Sequence, residues 1–353
     1  MEVVETNVES SQKPRINRFD NLKGLAIVLV VMGHLVELFA GLSYYSVFKH
    51  MIYIFHMPVF FFVSGYLSKV DKNLPKKAFR GLFIPYLIFN FLWIVFAMIV
   101  LGKGFPKFPF FIPETGLWFL LSLFIMRTIL PVLDKIKHVF LISIVLALFV
   151  GILNLPENFL AISRTLCFLP GFILGYYFKE IELGEVKSFT SKLLHKIKNF
   201  ITTYKYLVFG LLILFFIAIF FSTLDISNAP FAFIKSYKQM HMRISLGMFI
   251  RFLVISSGLL IVIVLYYLMT NKKTFLTKLG INSMAIYILH FYFVKFMGEY
   301  LLNSSFSEFF ENPYYVGIYI IVSTVILTYI LSRDFVSVGI NKIIEKVNGI
   351  FGL

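Results

Sequence analysis

Ionisable side chains set inside long apolar runs are costly to place in hydrocarbon, so they are the first candidates for chemistry. The densest group lies in Asn17-Arg18-Phe19-Asp20-Asn21-Leu22-Lys23-Gly24-Leu25, a run that continues through Gly33-His34 to Glu37. Lys23 and His34 are eleven residues apart. At about 100° and about 1.5 Å per helical residue, that spacing returns both side chains to one stripe, roughly 16 Å apart along the axis. Asp20 precedes Lys23 by three residues and can pair with it, and Glu37 follows His34 at the same spacing, one turn further out. A cation at one membrane mouth with an imidazole near mid-depth on the same face suits general base catalysis. A neutral imidazole takes a proton from a hydroxyl or thiol while a nearby carboxylate fixes its tautomer. A core histidine satisfied by its neighbours is the structural alternative, and it is weaker in a span because hydrocarbon supplies no partner.

Other candidates surround this pair. Tyr53-Ile54-Phe55-His56-Met57-Pro58 places His56 just before a proline that removes a backbone donor and can bend the helix. His56 is then either a pocket wall or a polar residue near the outer interface. Ser64, in Val63-Ser64-Gly65, is a possible hydroxyl nucleophile without a Gly-x-Ser-x-Gly elbow, and small residues there also serve close helix packing. Lys76, Lys77 and Arg80 fall within five positions, and Lys77 and Arg80, one helical turn apart, could together grip a phosphate or diphosphate. Positive-inside anchoring explains such a cluster equally well. Arg127, Arg164, Arg251, His290 and Lys295 are the remaining ionisable groups inside apolar runs. Arg164 and Arg251 are expected near outer span ends, as contacts for a lipid-linked diphosphate or as snorkelling anchors. Trp118 begins a span and fits an aromatic belt.

These residues need a scaffold, and the composition says which. The chain has 353 residues, 59% hydrophobic and only 14% charged, with a mean hydropathy of +0.86. A soluble domain carries about 25% charged residues, so a globular surface cannot be covered here. Disorder is excluded, because the composition is the reverse of low hydrophobicity with high charge. An all-α, polytopic transmembrane helical bundle follows, with about ten spans at 24–43, 50–68, 82–101, 117–133, 139–154, 161–178, 206–223, 247–269, 281–301 and 313–332. The runs 117–133 and 139–154 are short and could form a tight helical hairpin, or one of them could be re-entrant.

Net charge is +15, from 33 Lys+Arg against 18 Asp+Glu, and its distribution sets the expected orientation. With the N-terminus inside, 22 Lys and Arg fall in inner segments against six in outer ones, Lys49, Lys103, Lys107, Lys235, Lys238 and Arg243. Both termini are therefore expected in the cytoplasm. The expected organisation is a cytoplasmic segment 1–19, a transmembrane domain 20–335 and a cytoplasmic tail 336–353. Within the domain, 179–205 reads as a helix at the membrane interface or a solvated linker, with Leu193, Leu194, Ile197 and Phe200 among lysines. An outer loop near 224–246, with Asp225, Pro230, His241 and Arg243, is long enough to shape an external site. The polar start lacks an apolar signal core, so no removable signal peptide is expected. Nucleic acid is not an expected partner, since the positive balance suits loops facing anionic lipid and an anionic ligand.

Several chemistries lack their residues. The single Cys167 excludes an intrachain disulfide and a cysteine metal site. No Walker loop, Gly-x-Gly-x-x-Gly, metal-spaced His/Glu pair or H-E-x-x-H motif is present, so no metal or bound cofactor is expected.

In order along nearly the whole chain, these motifs resemble the acyltransferase-3 family of bacterial integral-membrane O-acyltransferases, most closely its stand-alone, fucose 4-O-acetylase-like branch. Arg18 to Gly24 followed by His34 is similar to the family's Arg/Lys-x10-His motif, and Lys77-x-x-Arg80 before Pro85-Tyr86 is similar to its Arg-x-x-Arg motif. Tyr53 to Pro58, Ser64-Gly65-Tyr66, Trp118-Phe119-Leu120, Leu169 to Tyr176 and Ile286 to His290 look like its later landmarks. The resemblance implies a multi-pass protein of the bacterial cytoplasmic membrane. Its activity would be transfer of an acyl group, commonly acetyl from cytoplasmic acetyl-CoA, to a carbohydrate or lipid-linked glycan at the outer face. By carry-over His34 is the base, Lys23 supports the site, and Lys77 with Arg80 binds donor phosphates. Lysine at positions 23 and 77, where the family commonly has arginine, forgoes bidentate phosphate geometry. The length leaves no room for the SGNH-type domain some members carry, so acceptor acylation is expected within the membrane domain or by a separate partner. A transporter or exporter of a glycan or acyl donor is the alternative, and the repeated halves and paired broken helices typical of such proteins are not evident in the sequence. Oligomeric state is not legible.

Overall fold

The computed structural model describes residues 16–39, 43–182, 189–222, 229–302, 305–350 and 352, and these are mostly helical, with no strand among them. The expected contribution of residues 1–15, of Asp225 and of the 183–188 part of the interfacial segment lies outside the described residues. The helices are α1 (Asn17–Glu37), α2 (Ser43–Leu67), α3 (Leu74–Ala78), α4 (Ile84–Val100), α5 (Trp118–Leu133), α6 (Val139–Phe149), α7 (Ile162–Glu182) and α8 (Phe189–Thr203). They continue with α9 (Lys205–Ser222), α10 (Ala229–Ala232), α11 (Ile244–Leu268), α12 (Phe275–Ile281), α13 (Ser283–Leu302), α14 (Pro313–Leu331) and α15 (Asp334–Ile350). A π-helical turn, Phe79–Phe83, joins α3 to α4 into one span.

Among the described residues seven helices are long and apolar enough to cross a membrane, and two bent pairs raise the number to nine. The tenth expected crossing, 139–154, forms only the eleven-residue α6, about 16 Å of helix at about 1.5 Å per residue. That is half a bilayer's hydrocarbon thickness of roughly 30 Å, so α6 does not qualify as a span by its own length. The two bends are also departures from straight crossings: α8 meets α9 at 96°, and α12 meets α13 at 80°. The first bend sets α8 across the axis of α9, the posture of a helix lying in an interface.

α1 is the hub. Its apolar window is 67% buried, against 28% for α14, and it touches α2, α11, α12, α13 and α14. Hydrocarbon gives helices no hydrophobic reason to associate, so close backbone packing and internal hydrogen bonds must hold them. Both are visible. Gly24 of α1 and Gly280 of α12 face each other's helix so closely that a Cβ on either would overlap a backbone carbonyl, of Leu276 or Asp20 respectively. Gly65 of α2 and Gly175 of α7 do the same against Phe172 and Phe62. Asn21, fully buried, donates from Nδ2 to the carbonyls of Thr270 and Lys272, both at 2.9 Å, and accepts at Oδ1 from the hydroxyls of Thr274 (2.9 Å) and Thr277 (2.6 Å). Thr274 and Thr277 also form a capping box that starts α12.

Contacts sort the connections into two ends. The start of α1 meets Asn271, Lys278 pairs with Asp334 at 3.6 Å, and Asn348 of α15 reaches the carbonyl of Arg80 at 3.4 Å. The first turn of α1 and the amphipathic α15 therefore share one end of the bundle. His34, Lys49, Gly116, Arg164 and the 232–241 loop gather at the other.

The glycine contacts are testable. Gly65→Ala must push α2 from α7, and overpacking of this kind costs about 1–3 kcal/mol. We expect a lower unfolding temperature of the detergent-purified protein. An unchanged melting profile would show that the α2–α7 contact is not close enough to matter.

Candidate active site

α1 carries the two residues whose spacing first drew notice, and it places them in separate cavities. At its first turns Lys23 Nζ lies 3.0 Å from Asp20 Oδ1, as the three-residue spacing allows. One stripe further along, His34 Nδ1 lies 3.1 Å from Glu37 Oε2. The other carboxylate oxygen of Glu37 accepts from Lys49 Nζ at 3.0 Å. A carboxylate facing Nδ1 holds the ring proton there and leaves the lone pair on Nε2, the state in which an imidazole acts as a base. Lys49 is 4% exposed and stands 5.1 Å from the centre of the Tyr53 ring. The chain of contacts Lys49–Glu37–His34 thus has its charge compensated before it reaches the imidazole.

Three spaces lie along this face of α1, and His34 lines two of them. The largest, about 800 Å³, is lined by His34, Glu37, Lys49 and Arg164, with the 234–241 loop and Lys295 at its sides. It narrows to a recess of about 50 Å³ that His34 shares with Tyr53, His56, Arg164 and Tyr287. A third space, about 190 Å³, belongs to the Lys23 end and is lined by Lys23, Ser64, Phe119, Arg127 and Tyr287. Tyr287 of α13 therefore borders both the recess and the Lys23 cavity. Its hydroxyl donates to the carbonyl of Gly116, and its ring packs edge-on against Phe119 at 5.3 Å. Gly116 itself lines the recess and the large cavity. Tyr287, pinned to a loop carbonyl, is the lining residue that the recess and the Lys23 cavity share.

The remaining candidates fall into place around this axis. His56 Nδ1 lies 2.8 Å from the carbonyl of Ile52, which fixes the proton on that atom and turns Nε2 toward the recess side of the ring. His290 makes the equivalent contact to Ile286 at 2.9 Å, is fully buried, and its ring centre is 5.4 Å from that of His34. Ser64 lines the Lys23 cavity and not the recess with His34, and Arg127 donates to its hydroxyl at 3.0 Å. Arg251 lines none of these spaces: it is buried, donates to the carbonyls of Ala147 (3.4 Å) and Lys235 (3.1 Å), and sits 4.8 Å from the Tyr237 ring centre. It anchors the loop that borders the large cavity. Lys77 is turned to Asp71 at 2.8 Å, and that hydrogen bond holds the Asp71 carboxyl below its ordinary range. Arg80 lies in the π-turn at the Lys23 end, outside the three spaces.

Sequence reasoning did not assign Lys49, Tyr53 or Tyr287 to the site. Lys49 was counted as an outer-loop charge, because its partner Glu37 is twelve positions away across a turn that no helical spacing bridges. Arg164 stood as a possible snorkelling anchor, yet its Nε donates to the carbonyl of Ala232 at 3.1 Å and its guanidinium lies 4.4 Å from the Trp118 ring centre, facing the recess. Tyr287 was within the Ile286–His290 landmark, and only the approach of α13 to Gly116 reveals what it divides.

Comparison with known proteins decides the family. The acyltransferase-3 family model, described as an acyltransferase domain, matches residues 16–333. The chain belongs to the acyltransferase-3 family. A short stretch is also similar to nodulation protein NolL of Sinorhizobium fredii, 44% identical over 54 residues, 14% of this chain and 15% of that protein. NolL of Mesorhizobium japonicum matches at 44% over 54 residues, 14% of each chain. These matches span about a seventh of either relative. No solved structure matches the chain.

The two-cavity geometry can be checked without any assay of activity. Cys167 is buried at 2% exposure, so an introduced thiol reports alone. In sealed vesicles we expect Lys23→Cys and Thr115→Cys to be labelled by a membrane-impermeant thiol reagent from opposite faces. Labelling of both from one face would rule out the arrangement.

Proposed function

We propose that this chain is an O-acyltransferase that moves an acetyl group from cytoplasmic acetyl-CoA to a hydroxyl of an extracytoplasmic or lipid-linked carbohydrate. The proposal includes N-in, C-in orientation in the bacterial cytoplasmic membrane, supported by the 22-to-six distribution of Lys and Arg between the two sets of loops. The observation that carries it is the imidazole of His34, oriented by Glu37 and lining both the large cavity and the recess, with Tyr287 lining that recess and the Lys23 cavity alike.

In this reaction the donor enters from the Lys23 end. Its phosphates meet the cations there, Lys77 and Arg80 at the surface and Lys23 and Arg127 at the cavity, and its uncharged arm runs toward Tyr287. The acceptor occupies the large cavity. His34 Nε2 takes the proton from the acceptor hydroxyl as the oxygen attacks the thioester carbonyl. Arg164, across the recess, faces the negative charge that gathers on the carbonyl oxygen. The C–S bond then breaks, and the imidazolium returns its proton to the departing thiolate, giving the ester and free CoA thiol. No acyl-enzyme is required, which agrees with Ser64 lying in the donor cavity and not beside His34.

His34→Ala removes the base together with its ring contacts to Phe291 and His290 of α13, and general base catalysis contributes about 10²–10⁴-fold. With purified protein, labelled acetyl-CoA and a carbohydrate acceptor, we expect a loss in kcat/KM of that order with normal yield and melting. Full activity in that variant sinks the assignment.

Tyr287 gives an independent check. Trimming it to alanine joins the two cavities, and we expect proteoliposomes carrying Tyr287→Ala to leak small hydrophilic solutes that the wild type retains. A tight Tyr287→Ala vesicle would show that other side chains form the barrier. Transport is favoured as a second reading by one observation, the 80° break between α12 and α13; wild-type proteoliposomes that move a glycan and yield no ester would establish it.

A further inference from the structure

The large cavity carries more positive charge than its carboxylates can balance. Two of its five cations are paired, Lys49 to Glu37 at 3.0 Å and Lys235 to Glu157 at 3.7 Å. The other three, Lys103, Lys295 and Arg164, have no carboxylate within ion-pair distance among the described residues. They come from separate elements: Lys103 from the α4–α5 connection, Lys295 from the far part of α13, and Arg164 from the first turn of α7. Separate elements aiming unpaired cations into one cavity is not the pattern of topology-setting loop charge, which is solvated and sits mainly at the other end of the bundle. Glu114, in the same connection as Lys103, does not line the cavity and makes no ion pair with Lys103; burial raises its carboxyl above the ordinary range, and the charge of Lys103 only partly opposes that rise. A concave site with walls of low dielectric concentrates such charge on whatever enters it.

Resting on the acyltransferase reading, we infer that the acceptor is an anionic glycan: the hydroxyl acylated at His34 belongs to a sugar that carries a phosphate or carboxylate, held by Lys103, Lys295 and Arg164. The same chemistry has two sources, a charged sugar unit or the diphosphate of a lipid carrier. Arg164 is nearest the reaction because it borders both the recess and the large cavity. Lys103 and Lys295 border the large cavity alone, and they set preference for the charged group. Lysine suits this role, since an ammonium is a point charge that accepts an anion from several directions.

The test uses the purified full chain with labelled acetyl-CoA and three probes: a neutral oligosaccharide, the same oligosaccharide with a uronic acid unit, and the neutral oligosaccharide on a polyprenyl diphosphate. We expect the charged probes to exceed the neutral one in kcat/KM by at least about tenfold, the scale of one charge-assisted hydrogen bond. The uronate and diphosphate arms tell the two sources apart. The double variant Lys103→Gln/Lys295→Gln should collapse the charged-to-neutral ratio, as should raising salt from about 50 to about 500 mM. Lys135→Gln, at a turn remote from the cavity, should leave the ratio in place. A ratio near one in the wild type, or a ratio untouched by the double variant, overturns the anionic acceptor while leaving acyl transfer standing. Absence of ester with all three probes, with no His34-dependent consumption of acetyl-CoA, overturns the acyltransferase reading itself and this inference with it.

Discussion

The constraint on which this architecture depends is that a polar group inside hydrocarbon must find its partners within the protein. Asn21 meets it completely. Its amide nitrogen bonds two carbonyls and its oxygen accepts two hydroxyls, so the side chain is saturated, and all four partners lie in the 270–277 segment. Without those partners the buried amide itself would be left unsatisfied, at about 1–3 kcal/mol for a buried polar group. The break between α12 and α13 is tolerated for the same reason. Asn282 at the break donates to the carbonyl of Ser332 at 2.9 Å and accepts from the hydroxyl of Ser337 at 2.6 Å, so the disturbed backbone is covered by polar side chains and not by lipid. The two asparagines tie α1, the 270–283 segment and the start of α15 into one unit.

That unit fixes the axis of the proposed reaction. With the first turns of α1 lashed to α12, and Gly24 and Gly280 permitting near contact of the two backbones, the direction of α1 is set, and with it the positions of Lys23 and His34 at two depths on one face. α13 leaves the same unit and carries Tyr287, His290 and Lys295 past His34 in order, so the wall, the neighbouring imidazole and the cavity lysine share one rigid element. Rigid elements hold reacting groups more accurately than loops do. The loop that does border the acceptor side is itself tied down: Tyr237 donates from its hydroxyl to Leu148 and from its backbone to Gly151, and Arg251 holds Lys235 from below.

The helical class, most span positions and the Lys23–His34 stripe were legible because they depend on local periodicity and on hydropathy, which a single chain displays. Asp20 beside Lys23 and Glu37 beside His34 were legible for the same reason, each being one turn apart. What could not be read depends on two elements meeting. Lys49 reaches Glu37 from another helix, Tyr287 is a wall only because α13 passes Gly116, and Arg251 is a loop anchor only because the 147–151 and 235–237 backbones converge on it. Asn21 was quoted as part of a motif without its role being visible, since all its partners are some 250 positions away. The bend at α12–α13 was missed because hydropathy counts apolar residues and is blind to direction. The eleven-residue α6 shows the same limit: its apolar run continues to 154, but the helix stops at Phe149. Carbonyls of its last turn, Ala147 and Leu148, accept from Cys167 and the Tyr237 hydroxyl, while Gly151 and Leu155 beyond it accept from the Tyr237 backbone and Gln239.

The distribution of charge along the axis explains how one protein can join two compartments without becoming a channel. In the proposed reaction both substrates carry anions, yet neither anion needs to pass Tyr287. Donor phosphates are met by Lys23 and Arg127 on one side, and acceptor charge is met by Arg164, Lys103 and Lys295 on the other. What must cross the wall is a neutral thioester arm, which bears no Born penalty for leaving water, whereas a small ion in the same passage would. A positive potential on both sides of the tyrosine also disfavours passage of cations. The wall can then be as thin as one phenol ring hydrogen-bonded to Gly116, because selection is done by charge before the ring is reached. This also accounts for keeping His34 beside a paired carboxylate: Glu37, neutralised by Lys49, orients the imidazole without adding a net negative charge that would repel an anionic acceptor.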